Sequence, residues 1–285
     1  MAGTMQRSRS LPTGCATAHP IWSDVMEINY GNTIPISTID WHGRVSIVFF
    51  LRGCPYRCPY CQNYELLKEN NMVDVSELEK SIKKSKPFVS SMVLSGGEPL
   101  AQKAASMHLA SFAKENGLLV GVHTNGFFPK VMGEMVKEKL VDKFFIDVKA
   151  PLDDTRLYAK AIGCHDFSLS LKPETVLENV RQSILLTLES VDIELRTTVF
   201  RDFIGSVDDV SGIARSLLQL TGNRDVPYVI QQGVPDNAML ESMRSMEPYN
   251  RDEMLELAMA AHEFLDNIYI RTREKGNEKV KFESI

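Results

Sequence analysis

Short apolar runs alternate with amphipathic stretches along most of the chain. Strand-like runs occupy residues 45–51, 91–94, 118–123, 144–148, 193–200 and 228–231. Apolar residues recur at helical spacing in residues 76–86, 102–116, 129–139, 173–188, 207–220 and 251–265. This alternation is typical of βα units arranged around a parallel sheet.

We therefore predict an α/β fold of the partial (βα)6 barrel type, because right-handed crossovers curl such a sheet. A further short strand over residues 267–272 is expected to close or edge the sheet. Active-site residues are then expected at the carboxyl ends of the strands.

Composition and charge indicate how the chain is divided into domains and which classes of partner are disfavoured. Residues 1–25 mix small, polar and basic residues without periodicity and predict a flexible leader. Residues 26–285 predict a single domain with a C-terminal helix and strand extension. The formal net charge of −5 argues against generic binding to nucleic acid or to a membrane surface. No apolar run approaches the roughly 18 residues of a membrane span and no signal-peptide pattern is present, so a cytoplasmic location is expected.

Three of the five cysteines are crowded into eight residues directly after the first predicted strand. Cys54, Cys58 and Cys61 form a C-x3-C-x2-C pattern, and Pro55 and Pro59 disfavour helix between them. An irregular loop that wraps a metal cluster is therefore expected. A 4Fe–4S cluster held by three cysteines keeps one iron open to a further ligand.

A structural zinc site is the competing interpretation of the same cysteines. Such a site normally has four protein ligands, often in two separated pairs. The remaining cysteines, Cys15 and Cys164, lack pair spacing. A non-catalytic iron–sulfur or zinc-binding scaffold stays open as an alternative on these residues alone.

The cysteine pattern, following the first strand of a βα chain, resembles that of the radical S-adenosylmethionine (radical SAM) superfamily. The resemblance implies a 4Fe–4S cluster on Cys54, Cys58 and Cys61, with SAM chelated by the open iron. It further implies an oxidoreductase in which one electron cleaves SAM reductively, leaving methionine and a 5′-deoxyadenosyl radical that abstracts hydrogen. Tyr60 occupies the place of an aromatic residue that commonly packs near the adenine.

Two motifs at the ends of the next strands extend the resemblance. Gly96, Gly97 and Glu98 end the second predicted strand and resemble the Gly-Gly-Glu motif that holds the SAM amino group. Two glycines let the backbone approach a ligand closely. Thr124 and Asn125 lie where the superfamily often contacts the ribose or methionine of SAM. Taken alone, each motif is equally well a turn, and we interpret the neighbouring His123 as a strand-end histidine satisfied by backbone.

Charged and amide residues end the later strands. Asp147 and Lys149 stand two residues apart, and this D-x-K resembles the segment that lines the SAM pocket of glycyl-radical-enzyme activases. Arg196 lies in the fifth predicted strand, and its cation needs an anionic partner, either the SAM carboxylate or an internal salt bridge. Gln231 offers a neutral amide to adenine or substrate, although solvent contact explains it equally well.

Residues 35–44, which precede the cysteines, are similar to the corresponding segment in activating proteins of anaerobic (class III) ribonucleotide reductase. The resemblance implies a glycyl-radical enzyme as the protein substrate. Because no second cysteine set is present, ferredoxin or flavodoxin is the expected electron donor. The alternative within the superfamily is an enzyme that modifies a small molecule or a tRNA nucleoside.

Overall fold

The computed structural model of the chain describes residues 26–164 and 170–282, so the leader predicted for residues 1–25 lies outside the described residues. One ten-stranded sheet runs in the order β10-β9-β8-β7-β6-β5-β4-β2-β1-β3. Its strands are β1 (Glu27–Ser37), β2 (Ser46–Leu51), β3 (Met72–Asp74), β4 (Ser91–Gly96), β5 (Leu119–Thr124), β6 (Lys143–Asp147), β7 (Asp192–Val199), β8 (Tyr228–Gln232), β9 (Ile268–Thr272) and β10 (Gly276–Lys279).

Seven of these strands, β2 and β4 to β9, are parallel to their neighbours and follow one another in chain order across the sheet. The predicted partial barrel is therefore confirmed, and the strand expected over residues 267–272 joins it as the seventh parallel strand. Antiparallel strands border this set, with β1 and β3 at one edge and β10 at the other.

Helices connect the parallel strands. They are α1 (Val75–Ser85), α2 (Lys103–Glu115), α3 (Pro129–Lys137), α4 (Thr155–Ala161), α5 (Pro173–Thr187), α6 (Val207–Thr221), α7 (Glu241–Arg244) and α8 (Arg251–His262). The six predicted helices are present with ends shifted by a few residues. Local caps explain two of the clearest starts, because Ser206 and Asn250 form capping boxes at the beginnings of α6 and α8.

The parallel strands form as predicted because both of their faces are covered. In β4, for example, the residues from Ser91 to Ser95 are all buried, which is the near-continuous burial expected of a parallel sheet under helices. Within the described residues, no helix has the length and apolar character that a membrane crossing requires.

The concave side of the sheet is partly filled from the β1–β2 connection. Trp41 packs there against Val48, Val93 and Phe145, and its ring contacts that of Phe145 edge to face at 5.7 Å. A side chain at Gly121 would meet the indole at 2.9 Å, so glycine makes room for Trp41. Because Trp41 covers the middle of the strands, the open space on this side lies toward their carboxyl ends.

Candidate active site

A cavity of about 550 Å³ opens at the carboxyl ends of the parallel strands. Twelve of the thirteen predicted site residues line it: Cys54, Cys58, Tyr60, Cys61, Gly96, Gly97, Thr124, Asn125, Asp147, Lys149, Arg196 and Gln231. The thirteenth, Glu98, is fully buried behind the wall. The expectation that the motifs gather at this end of the sheet is therefore met by the geometry.

The three cysteines lie on an irregular loop between β2 and the short 3-10 turn at Tyr64–Leu67. The loop is held from inside by Arg57, whose guanidinium donates to the carbonyls of Cys54 and Tyr56 at 2.7 and 2.8 Å. The backbone N–H of Arg57 also donates to the carbonyl of Ile162 at 3.0 Å, which ties the loop to the region after α4. The thiols are thus presented by a loop with its own fixed hydrogen bonds.

Burial controls the acidity of these thiols. It raises the pKa of Cys58 to about 12 and raises those of Cys54 and Cys61 as well. Metal ligation requires thiolates, so loading a cluster must displace the protons. N–H groups already point at two of the sulfurs, from Tyr56 to Cys54 at 3.4 Å and from Asn63 to Cys61.

The donor set fits an iron–sulfur cluster with three protein ligands. Among the described cysteines, Cys54, Cys58 and Cys61 line the cavity and Cys164 does not. In the described ranges, no group of three or more His, Cys, Asp or Glu side chains is arranged to hold a single metal ion. In a four-iron cluster each thiolate binds a different iron, so three thiols that line one cavity can hold such a cluster.

The two motif glycines allow one backbone to pack against another. A side chain at Gly96, where φ is +118°, would lie 2.3 Å from the backbone N and O of Leu51, and one at Gly97 would lie 2.2 Å from the carbonyl O of Gly53. The N–H groups of Gly97 and Glu98 donate to the carbonyls of Leu51 and Gly53 at 2.9 and 2.8 Å. The Gly-Gly turn is therefore joined to the strand that leads into the cysteine loop, and both glycines also line the cavity.

Glu98 links this turn to the end of β5. Its carboxylate accepts hydrogen bonds from the backbone N–H groups of Leu100 and Asn125, at 3.0 and 2.7 Å, and from the Thr124 hydroxyl at 2.9 Å. Burial raises the pKa of Glu98 to about 7, although these three donors act in the opposite direction. In this structure Glu98 orients the cavity wall without forming part of its surface.

Tyr60 packs as a wall residue. Its ring lies 5.2 Å from that of Phe200 and 5.7 Å from that of Phe203. The Nζ atom of Lys149 stands 5.8 Å from the centre of the Tyr60 ring. The aromatic face is thus held beside the ammonium and the cysteine loop.

Asp147 and Lys149 form the predicted charge pair, with Nζ and Oδ2 2.7 Å apart. Burial disfavours the ammonium, but the Asp147 carboxylate, Tyr60 and Cys58 together outweigh burial and raise the pKa of Lys149 well above its usual value. Lys149 is accordingly a fixed positive charge next to the thiols.

Arg196 belongs to an internal salt bridge and also keeps free donor capacity. Its Nε donates to Oε1 of Glu194 at 2.7 Å, while its Nη2 is buried without a hydrogen-bond partner among the described residues. Arg271 and Lys143 hold the same Glu194 carboxylate at 3.1 and 3.2 Å. Burial alone would raise the pKa of Glu194, but Arg196 and the other cations lower it to about 2.

His123 is half-buried at the end of β5 and is kept as a neutral imidazole. Burial, followed by the charge of Arg196, lowers the pKa of His123 well below its usual value. Its Nε2 lies 3.0 Å from the backbone carbonyl of Asp40, and its Nδ1 lies 3.4 Å from the Ser95 hydroxyl. The geometry agrees with the interpretation of a strand-end histidine satisfied by backbone.

The cavity residues that were not predicted as site residues include two groups from outside the motifs. Ile39 and Asp40 enter from the β1–β2 connection, and Arg271 to Arg273 enter from the end of β9. Arg271 could have been found from the alternation of residues in the predicted strand. Ile268 and Ile270 are buried on one face of that strand, so Arg271 lies on the other face.

The barrel, the three-cysteine loop and the Gly-Gly-Glu turn define a class of enzyme, and comparison with known proteins agrees. A model of the radical SAM superfamily matches residues 48–192, half of the chain. The chain belongs to the radical SAM superfamily and is a radical SAM enzyme.

Among curated relatives, the chain is 33% identical over 245 residues to the "Putative glycyl-radical enzyme activating enzyme" of Methanocaldococcus jannaschii, covering 84% of this chain and 94% of that protein. It is also 33% identical over 96 residues to the pyruvate formate-lyase-activating enzyme of Staphylococcus aureus, which covers 31% of this chain and 36% of that one. The resemblance to activating enzymes seen in the sequence is thereby confirmed.

Solved structures support the fold. A structure of TYW1 with a lysine-pyruvate adduct bound matches with a TM-score of 0.57 at 16% identity, covering 81% of this chain and 77% of that one. Streptococcus suis SuiB bound to its precursor peptide SuiA also matches with a TM-score of 0.57, at 12% identity, covering 79% of this chain and 48% of that one. At such identities the likeness concerns the fold alone.

Proposed function

We propose that this chain reductively cleaves SAM at a 4Fe–4S cluster and thereby generates a glycyl radical on a partner enzyme, an anaerobic ribonucleotide reductase or a relative of it. The observation that carries the proposal is the convergence of the three thiols and nine of the ten predicted SAM contacts on one cavity. The resemblance to the M. jannaschii protein over nearly its whole length supports the choice of substrate.

Cys54, Cys58 and Cys61 would hold the cluster, which when bound supplies an open iron for SAM and the electron for its cleavage. The protein's own residues prepare the remaining space. Arg196 offers a carboxylate its buried guanidinium, whose Nη2 has no hydrogen-bond partner among the described residues. Trp41 and its apolar neighbours exclude water from the concave side below.

A protein substrate would reach this cavity at its rim. Ile39 lines the cavity and yet leaves 78% of its surface exposed. An exposed large apolar residue beside a reactive site suits contact with a partner chain. Ferredoxin or flavodoxin would supply electrons, because the sequence carries no second cysteine set.

Anaerobic reconstitution tests the proposal in two stages. The expected result is about four irons per chain and formation of 5′-deoxyadenosine that depends on dithionite. The partner from the same cell should then develop a glycyl-radical signal in electron paramagnetic resonance when it is incubated with the enzyme and SAM. A colourless, inert protein would refute SAM cleavage and favour a zinc scaffold.

One observation favours a second candidate, a radical SAM enzyme acting on a small molecule or a tRNA nucleoside. Three cations, Arg196, Arg271 and Lys143, surround the single carboxylate of Glu194, which leaves this group with a net charge of +2 (three minus one). A substrate with a carboxylate or another anionic group would balance that charge. SAM cleavage that rises with such a compound, with no radical on the partner, would favour this candidate.

A further inference from the structure

The Asn125 side chain is held against the sulfur of Cys54. Its Nδ2 atom lies 3.6 Å from the Cys54 Sγ atom, within the range of a hydrogen bond to sulfur. Asn125 itself is only 5% exposed. At the level of sequence this residue was assigned to the ribose or methionine of SAM, so a contact with a cluster ligand is a different role.

The orientation of the Asn125 amide is fixed by its other hydrogen bonds. The backbone N–H of Phe127 donates to Oδ1 of Asn125 at 3.0 Å. An oxygen must therefore occupy that end of the amide, and the NH₂ group must face Cys54. The backbone of Asn125 is held in turn by the buried Glu98 carboxylate, 2.7 Å from its N–H.

The three sulfurs differ in what surrounds them. Cys54 receives the Tyr56 backbone N–H at 3.4 Å in addition to the Asn125 amide. Cys61 receives a backbone N–H from Asn63, and among the described residues no side chain donates to the sulfur of Cys58 or Cys61. Asn63 illustrates the contrast, because its side chain faces the same cavity but donates to the carbonyl of Gly96 at 3.1 Å.

Hydrogen bonds to ligand sulfurs are one of the protein's means of setting the potential of an iron–sulfur cluster. A donor stabilises the more negative, reduced cluster over the oxidised one, so it raises the reduction potential. We infer that Asn125 is a positioning residue that donates its side-chain N–H to the Cys54 thiolate and raises the reduction potential of the cluster. This inference rests on the proposed function, since it presumes that a cluster binds Cys54.

The test is a redox titration of the reconstituted enzyme without SAM. The electron paramagnetic resonance signal of the reduced cluster is measured at each potential. Omitting SAM removes any contact between Asn125 and SAM from the measurement. Asn125→Leu keeps the approximate shape of the side chain and removes the donor. We expect a more negative midpoint potential with unchanged iron content, and a smaller reduced fraction at a fixed dithionite concentration.

Asn116→Leu is the matched control, because it removes a side-chain amide that donates to the Phe112 carbonyl at 2.8 Å outside the cavity lining, and its potential should equal that of the wild type. If Asn125→Leu binds no cluster, Asn125→Ser replaces it, since the shorter hydroxyl fits the space and cannot reach the sulfur. If Asn125→Leu, or Asn125→Ser where it replaces Asn125→Leu, has the midpoint potential of the wild type, the inference is overturned while the proposed function stays intact. A wild-type chain that takes up no iron would instead overturn the proposed function.

Discussion

The two sides of the cavity are built from different chemistry. The side formed by the β2 loop and the ends of β4 and β5 presents thiols, backbone groups and neutral amides. The side formed by β6 to β9 presents charges, with the Asp147–Lys149 pair and the cations around Glu194. The comparison teaches that the first side depends on ligand identity and close backbone packing, whereas the second depends on charge balance. Loss of a thiol on the first side should therefore abolish cluster binding and a side chain added to its glycines should strain the backbone, whereas loss of a charge on the second side should lower stability to an extent that depends on pH.

The largest effect is expected on the thiol side. Cys58→Ala should abolish both cluster binding and SAM cleavage, because two thiolates do not hold the cluster, while the sheet stays folded around a small truncation. Iron analysis measures cluster binding, 5′-deoxyadenosine formation measures SAM cleavage, and circular dichroism measures whether the fold is retained. Cys164→Ala is the matched control, since Cys164 lies outside the cavity lining, and it should retain cleavage. Retained cleavage in Cys58→Ala would contradict the ligand assignment.

On the charged side, Glu194→Gln should cost about 3 kcal/mol of unfolding free energy near neutral pH, because it leaves buried cations without their carboxylate. The folded-state pKa of Glu194 is lowered from 4.5 to about 2, so its contribution is present above the unfolded value and is lost as pH falls toward 2. Urea denaturation of both proteins between pH 7 and pH 2 should show their difference shrinking.

The exposed Glu189 provides the control for that experiment. Glu189→Gln should change the unfolding free energy by less than about 0.5 kcal/mol. A difference between wild type and Glu194→Gln that stays constant with pH would show that Glu194 acts by packing and not by charge.

The backbone packing of the thiol side is tested by Gly96→Ala. The new Cβ would meet the Leu51 backbone at 2.3 Å, where neither partner is a flexible side chain. Gly43→Ala also places alanine at a positive φ, of +79°, but with nothing within 4 Å, and it should cost about 1 kcal/mol. Gly96→Ala should cost about 2 kcal/mol more and weaken SAM binding, as measured by thermal unfolding and calorimetry. Equal losses of unfolding free energy in Gly96→Ala and Gly43→Ala would mean that a small backbone shift relieves the close approach to Leu51.

The smallest effect is expected at the rim. Ile39→Glu should leave stability and dithionite-driven SAM cleavage unchanged, because the side chain is 78% exposed. It should lower the yield of glycyl radical on the partner roughly fivefold, which corresponds to a loss of about 1 kcal/mol in the free energy of partner binding. Val207→Glu, at an exposed position on α6, should leave that yield unchanged. Equal radical yields in wild type and Ile39→Glu would show that the rim at Ile39 is not part of the docking surface.

The same contrast explains what could be predicted from the sequence. The residues of the thiol side lie close together in the chain, at Cys54 to Cys61 and Gly96 to Glu98, so they form local motifs in which the resemblance to a known superfamily is visible. The group around Glu194 draws Lys143, Arg196 and Arg271 from three different strands. Such residues are brought together by sheet register, which no local motif records.

Secondary structure shows a similar division. The parallel strands were predicted because both of their faces are apolar, which gives continuous runs. The β1 strand (Glu27–Ser37) was missed because it contains Gly31 and Pro35 and borders the sheet with one side partly exposed. The hydrogen bonds of Glu98 were also not predicted, since its motif gives no sign that the carboxylate points into the protein and accepts from Thr124 and Asn125.

The indole of Trp41 has a consequence for the order of events. Since Trp41 packs over the middle of the strands, SAM and the polypeptide substrate of the proposed reaction would both approach from the carboxyl ends of the strands. A polypeptide bound at that opening would then follow SAM, and methionine and 5′-deoxyadenosine would leave after the polypeptide. We therefore expect the rate of repeated turnover to depend on how fast the activated partner dissociates.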